Sequence, residues 1–489
     1  MFRAGPIIGG TRTDDDLRDS DQKAYCVHSN PEPFHSFRQN YQQIVDKYEE
    51  EFMQLSIEMV TFFDERRQPE EEFNRKMDFC RLLETVIQRH NPKWLFEVVP
   101  TGSSVTGLAT KDSDLDVAIH IPQVNFLAPG HEDKVLWTRK MKLVILQIIR
   151  HILRNDEDIK SRIKPKIDLV AAQIQILKIE TTDGIEVDIS VSTEDFLSSM
   201  HNSHLIRHFA HIDSRFAPLC AVVKQWAAST EVKKPVDGGF NSYAIVLLVV
   251  HFLQCGTSPP ILPHLAEIYK ADTIIAESEH SFPLKVDFGA PLPRPLPEIS
   301  RNQSPVAVLF FEFVHYYSKF NFQNTYISIC KARVMNRRGT SEQKVRIQDS
   351  KEVYIEDPFD EHNPGRTCRT LHSIKDTFRR TMELFIPPNR AAPSNDQEEP
   401  VQENFKFPTL GDIIHMKSKA TPEDVIAEEL VGDEEEVDGE EEVEEEEHSE
   451  SGEHHHQNLQ NHHHHRHNRP STSDGGVRES QFTDDMDDW

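Results

Sequence analysis

The stretch 96–122, FEVVPTGSSVTGLATKDSDLDVAIHIP, restricts what this chain can fold into more tightly than any other part of it. An apolar run reads as a strand ending on Gly102-Ser103. A short polar and small-residue segment follows, and DLDVAIHI then reads as a second strand that carries Asp114 and Asp116 two positions apart. Side chains at i and i+2 of a strand leave the same face, so the spacing predicts two carboxylates able to hold the same cations. A Gly-Ser turn facing them offers backbone N–H groups and a hydroxyl to a polyphosphate. Either half alone is weak, because Asp-x-Asp is common in solvated or calcium-binding turns. Joined at this spacing between apolar strands, they predict a site where a nucleoside triphosphate meets divalent metal.

At 489 residues the chain has room for two to three domains. Its hydrophobic content of 37% is low for a wholly globular protein, and the deficit is local. From Ala391 to Trp489 there are 29 acidic and 6 basic residues, against 53 and 48 in the first 390. The formal charge of −28 therefore describes the C-terminal stretch, and it does not argue against a polyanion such as RNA on the body. Six cysteines without a CxxC pair predict reduced intracellular thiols. The N-terminus has no continuous apolar core of a signal peptide, and AIVLLVVHFL is too short to span a bilayer. A soluble protein with no membrane partner is expected.

Residues 1–40 read as a polar, disordered N-terminus. Over 41–91, apolar residues at helical spacing predict two amphipathic helices split near Pro69 and packed on a helical lobe. A strand–helix–strand–strand pattern over 92–200 predicts a small α/β lobe, with AQIQILKIE and GIEVDISV joined by the turn TTDG. From 201 to 388 the pattern is mainly helical, with LCAVVKQWAAS, SYAIVLLVVHFLQ, SPVAVLFFEFVHYYSKF and SIKDTFRRTMELF as its strongest segments. Residues 389–489 read as a disordered acidic, His-rich tail; one short segment within it, FPTLGDIIHM, is apolar enough to dock on the body or a partner.

A third carboxylate sharpens the site. Asp188 in IEVDISV is flanked by Val187 and Ile189, so it faces opposite to them and could complete a metal site; without the first two aspartates it would read as a solvent-facing strand residue. GSSVTGLATKDSDLDV, EVDIS, APLCAVVKQWA, NSYAIVLLVVHFLQ and IEDPFDEHNPGR, in that order, resemble the noncanonical poly(A) polymerases and terminal uridylyltransferases of the DNA polymerase β-like nucleotidyltransferase superfamily. The resemblance covers roughly residues 40 to 388.

The resemblance implies an α+β protein in which a small mixed-sheet catalytic lobe faces a mainly helical central and PAP-associated lobe across a cleft. It implies catalysis by Asp114, Asp116 and Asp188 with Mg²⁺ or Mn²⁺, and triphosphate binding by Gly102 and Ser103. Asn202 would meet the ribose 2′-hydroxyl, with Ser203 near the phosphates. Lys224 would reach the terminal phosphates, its alternative being a snorkelling lysine beside buried Val222 and Trp226. Ser242 would bond phosphate and Tyr243 stack on the base, where the plain alternatives are a helix cap and a core aromatic. Asp357 would read the base, and His362 resembles the histidine that favours UTP. Arg366 would face RNA. Three departures stand out: the loop from Phe359 to His362 is one residue short, Ala228 replaces a second lysine, and ISVSTEDFLSS is long. The expected activity is template-independent addition of UMP to RNA 3′ ends by two-metal catalysis. Addition of AMP or mixed nucleotides is the alternative, and an inactive scaffold a more distant one. No RRM, KH or zinc-knuckle signature appears, so an RNA-binding adaptor protein is expected; a cytoplasmic location is expected as well, with a nuclear or RNA-granule fraction as its alternative.

Overall fold

A computed structural model describes residues 31–111, 113–121, 134–171, 175–192, 198–263, 302–329, 332–337, 352–357, 363–388 and 405–416, all within one compact unit. The chain enters through three helices, α1 (Pro31–Lys47), α2 (Glu49–Arg66) and α3 (Glu70–His90). Pro69 precedes α3, whose first turn is Glu70-Glu71-Glu72 and whose last turn holds Arg89 and His90, charges that complement the helix dipole. The two sides of Pro69 face different cores. Phe52, Leu55, Met59 and Phe62 of α2 enter the helical lobe, while Phe79, Leu83, Val86 and Ile87 of α3 pack on the sheet. Both helices of 41–91 are expected on the helical lobe; the proline break instead redirects α3 to the sheet. The expectation of disorder through residue 40 also gives way, since α1 begins at Pro31 and buries Phe37 against Phe311.

The mixed-sheet lobe is built from β1 (Glu97–Thr101), a single-turn α4 (Ser103–Thr106), β2 (Leu115–His120), α5 (Lys134–Asn155), α6 (Glu157–Lys160), β3 (Ile163–Ala171), β4 (Gln175–Thr181) and β5 (Glu186–Ser192). The five strands lie in the order β1-β2-β5-β4-β3. Only β2 and β5 run parallel; the other neighbours are antiparallel, so the sheet is mixed. Strand periodicity sorts the faces. Leu115, Val117 and Ile119 of β2, with Val187, Ile189 and Val191 of β5, meet the apolar stripes of α3 and α5. Asp116 and Asp188, on the alternate positions, therefore share the other face.

The helical lobe follows: α7 (Ser198–Ile212), α8 (Phe216–Ser229), α9 (Ser242–His251), α10 (Val306–Lys319) and α11 (Leu371–Glu383). Every residue from Ala244 to His251, and from Val306 to Tyr317, is buried, so α9 and α10 form the centre of this core. Trp226 is fully buried and donates its indole N–H to Thr381 Oγ1 at 2.9 Å. A second sheet that the sequence pattern did not reveal, β7-β6-β8, comprises β6 (Thr325–Ser328), β7 (Arg333–Asn336) and β8 (Ile355–Glu356). The whole is an α+β arrangement of a mixed-sheet lobe and a helical lobe. Among the described residues no helix is long and apolar enough to cross a membrane.

The expectation of an unstructured tail from 389 fails at 405–416. There α12 (Leu410–Ile414) opens with a capping box between Thr409 and Asp412 and buries Leu410, Ile413 and Ile414. Phe407 lies edge-on to Phe52 at 4.8 Å, and Phe405 lies against Tyr48 at 5.4 Å. Each such side chain contributes on the order of 1.5–3 kcal/mol before the ordering cost. Ending the chain at residue 390 should therefore lower Tm by at least about 4 °C relative to ending it at 418; equal melting temperatures would show that the segment adds nothing.

Buried histidines give the fold a pH response. Burial pushes His120, His201 and His315 down to about 4, and His204 and His251 to about 3, from an ordinary 6.5. The unfolded chain then takes up protons below 6.5 that the folded chain refuses, so their contribution is complete above 6.5 and is lost as pH falls toward 4. Buried Glu312 works the other way, its carboxyl being raised to about 7 from 4.5, which costs stability as pH rises between those values. Five groups outweigh one. Thermal melts should show Tm falling steadily from pH 7 to pH 4.5, and a flat profile would contradict this balance.

Candidate active site

Parallel pairing of β2 with β5 places Asp116 directly beside Asp188 in register. Asp114 lies just ahead of β2, whose ladder begins at Leu115, so it is a loop residue and not part of the strand expected for it. The three carboxylates nonetheless converge: each offers an oxygen within 4.8 Å of the others. Burial raises the Asp188 carboxyl above its usual range, and the Asp114 charge adds to this. Lys178 opposes it, its Nζ standing 3.4 Å from Asp188 Oδ2. Three hard oxygen donors crowded together, with one half-exposed lysine beside them, fit divalent cations well. Lys178 went unread in the sequence although a signal existed, since the TTDG hairpin pairs Lys178 with Asp188 across the antiparallel ladder.

Gly102 closes the end of β1 against this group. Its φ is +68°, and a Cβ built there would stand 2.9 Å from Asp116 Cγ and closer still to Oδ2. No residue with a side chain fits without displacing the aspartate. The Gly102 N–H donates to Ser203 Oγ of α7 at 3.0 Å, joining the turn to the helical lobe. Ser103 follows, half-exposed, as the first residue of α4.

A second group gathers around Asp357, which is 4% exposed at the end of β8. Its Oδ2 accepts from Asn202 Nδ2 and from the Tyr243 hydroxyl, both at 3.0 Å. Asn363 secures this end of the lobe: Oδ1 accepts from Ile355 N at 3.0 Å and Gly365 N at 2.9 Å, and Nδ2 donates to Val353 O at 2.9 Å. That staple was not anticipated. Ser242 and Tyr243 open α9, but its cap is Asn241, which accepts from Ala244 N at 2.8 Å. Ser242 is thereby left out of capping. Lys224 lies half-exposed on α8, and Arg366 is exposed on the turn Pro364–Thr367. His362 lies outside the described residues.

A mixed sheet carrying three clustered aspartates beside a glycine turn, with a helical lobe presenting a tyrosine and a buried acid, defines the class of nucleotidyltransferase polymerases. Comparison with known proteins places the chain within that class. The family described as "Poly(A) RNA polymerase, mitochondrial-like, central palm domain" matches residues 55–211, and "Cid1 family poly A polymerase" matches 305–363. Both matched stretches are similar to noncanonical poly(A) polymerases, in line with the resemblance carried by the five sequence blocks. It is 27% identical over 361 residues to Poly(A) RNA polymerase gld-2 homolog A of Drosophila melanogaster, covering 73% of this chain and 24% of that one. It is 28% identical over 369 residues to Poly(A) RNA polymerase GLD2 of Danio rerio, covering 75% of this chain and 66% of that one. The chain thus spans about a quarter of the length of its fly relative. In fold it is similar to the solved GLD-2/RNP-8 complex, with a TM-score of 0.54 at 24% identity over 75% of this chain and 99% of that one.

These relatives correct the expectation of uridylyl addition, for both are named poly(A) RNA polymerases. The expectation had rested on His362 in a loop one residue short. A side chain's reach into a base pocket depends on loop length, so identity alone at that position is no guide to base choice.

Proposed function

We propose that this protein adds AMP from ATP to RNA 3′ ends without a template, singly or within mixed tails. The observation that carries the reading is the convergence of Asp114, Asp116 and Asp188 beside a turn where only glycine fits. The choice of adenylation is supported by the names of the relatives at 27–28% identity. Asp114, Asp116 and Asp188 would hold Mg²⁺ or Mn²⁺. Bound there, such ions supply Lewis-acid stabilisation of phosphoryl charge and a lowered pKa at the RNA 3′-hydroxyl.

The chain's own groups do the positioning. Gly102, lacking a side chain, lets phosphate oxygens approach the backbone, with the Ser103, Ser203 and Ser242 hydroxyls as further donors. Lys224 supplies charge to the terminal phosphates. Asn202 Oδ1 is buried with no hydrogen-bond partner among the described residues, which suits a ribose hydroxyl as donor. Tyr243 offers its ring to the base. Asp357 is an acceptor, and adenine presents a donor in its N6 amino group. Arg366 would pair with RNA phosphate. An RNA-binding adaptor fits a protein without a recognisable RNA-reading module, and the related GLD-2 was itself solved as a complex with RNP-8. Buried free thiols at Cys80, Cys220, Cys255 and Cys368 suit a reducing, cytoplasmic setting.

The test is to incubate the full chain with oligo(A) RNA and each of the four NTPs separately, with Mg²⁺ or Mn²⁺, and to sequence the products. ATP should be preferred by at least about tenfold in kcat/KM. No extension with any nucleotide, or extension confined to a nucleotide other than ATP, would overturn the reading.

A further inference from the structure

Asp114 is the member of the carboxylate group that no strand holds, yet it must stay within reach of two that are strand-bound. Its backbone is secured from behind by Lys76 of α3, a lysine with no solvent exposure. The Lys76 ammonium donates to Ser113 O at 2.6 Å, to Gln68 Oε1 at 2.7 Å and to Ser104 Oγ at 3.3 Å, and pairs with Glu72 at 2.9 Å. Ser104 Oγ in turn donates to Asp114 O at 3.0 Å. The carbonyls of Ser113 and Asp114 belong to the two peptide groups that flank the Asp114 Cα. One ammonium therefore fixes both, directly and through one hydroxyl, and with them the φ and ψ that aim the carboxylate.

The surroundings reinforce this. Gln68 receives the ammonium and gives its own Nε2 to Ser104 O at 3.2 Å, while its backbone N–H donates to Ala109 O at 2.9 Å. Lys111 N donates to Arg66 O at 2.7 Å. The loop between α4 and β2 is thus tied at several points to the junction of α2 and α3. A buried charge is costly unless its partners are all in place, so a buried Lys76–Glu72 pair on a helix face that is otherwise apolar calls for a task that apolar residues could not perform. Four oxygens converge on Lys76, and two of them, Ser113 O and Ser104 Oγ, lie in or next to the loop that presents Asp114.

We propose that Lys76, through Ser113 and Ser104, is a positioning residue that presents Asp114 to the metal. The inference rests on the metal-binding reading of the three aspartates. Its test needs no turnover: Mn²⁺ is titrated into the purified full chain without nucleotide or RNA, and free Mn²⁺ is followed by EPR. Lys76→Met alone leaves the Glu72 carboxylate buried and unpaired, and folding would suffer. The informative variant is therefore Glu72→Gln with Lys76→Met, which removes both charges, accompanied by Ser104→Ala, which removes only the bridge.

The double variant should bind Mn²⁺ about tenfold more weakly, approaching Asp114→Ala, and Ser104→Ala a few-fold more weakly. Trp226→Phe, in the helical core, should lower Tm and leave Mn²⁺ affinity at the wild-type value, which separates positioning from general destabilisation. Wild-type affinity in a folded double variant, with Asp114→Ala weakened, would overturn the Lys76 proposal alone. If Asp114→Ala itself binds like the wild type, the metal reading of the aspartates fails and takes the proposal with it.

Discussion

Replacing Gly102 by alanine should reduce kcat/KM by at least about a hundredfold while leaving the protein folded. Two separate effects meet at this position. With φ +68° and ψ −157°, Gly102 lies in a region essentially confined to glycine, at a cost of roughly 1–3 kcal/mol for any residue with a Cβ. The added methyl would also press on the Asp116 carboxylate, 2.9 Å from its Cγ, and force it away from Asp114 and Asp188. Gly107 separates the two effects. It has a φ of +83° but nothing within 4 Å of a built Cβ, so Gly107→Ala carries the backbone strain without the collision. Being left-handed helical, it should lose less stability than Gly102→Ala and keep most of the activity. Equal activities in the two variants would show that the Gly102 turn does not govern the carboxylates.

Asp114→Ala together with Asp116→Ala should cost at least about a thousandfold in RNA extension, because no other described group can substitute for two ligands at once. The same change should leave Tm level or higher when no metal is added. Asp188 is held above its ordinary pKa by burial and by the Asp114 charge; removing neighbouring like charges relieves that repulsion. Activity lost with stability kept or gained is the signature of a group retained for chemistry. Residual extension by the double variant, or a large drop in Tm, would place the role of these residues elsewhere.

Much of this was readable from residue order. Alternation along DLDVAIHI and IEVDISV predicted which side chains share a face, because a two-residue period survives in any paired strand. The long apolar runs of α9 and α10 announced a buried helical core for the same kind of reason. What escaped depended on contacts distant in sequence. β3 carries Pro165 and exposed lysines; it reads poorly as a strand and is tolerated because it lies at the sheet edge. β6, β7 and β8 are too short to show a period. FPTLGDIIHM showed that it could dock, but not where: its seat on Tyr48 and Phe52, more than 350 positions earlier, is encoded by no local pattern. The start of β2 at Leu115 leaves Asp114 off the ladder, a boundary effect of one residue with consequences for how that carboxylate is held.

The bond from the Gly102 N–H to Ser203 Oγ has a thermodynamic consequence for ligand capture. On the proposed function, the Gly102 N–H is already satisfied before a triphosphate arrives, so binding there would be an exchange of acceptors and would add no bond to the total. A neutral hydroxyl gives way to an anionic oxygen, and the gain is the difference between an ordinary and a charge-assisted hydrogen bond. Affinity at this end of the nucleotide is then set by ionic state more than by contact number. Weakly charged analogues should lose most of it, while the Ser203 hydroxyl, no longer accepting from the turn, stays in place to donate to phosphate.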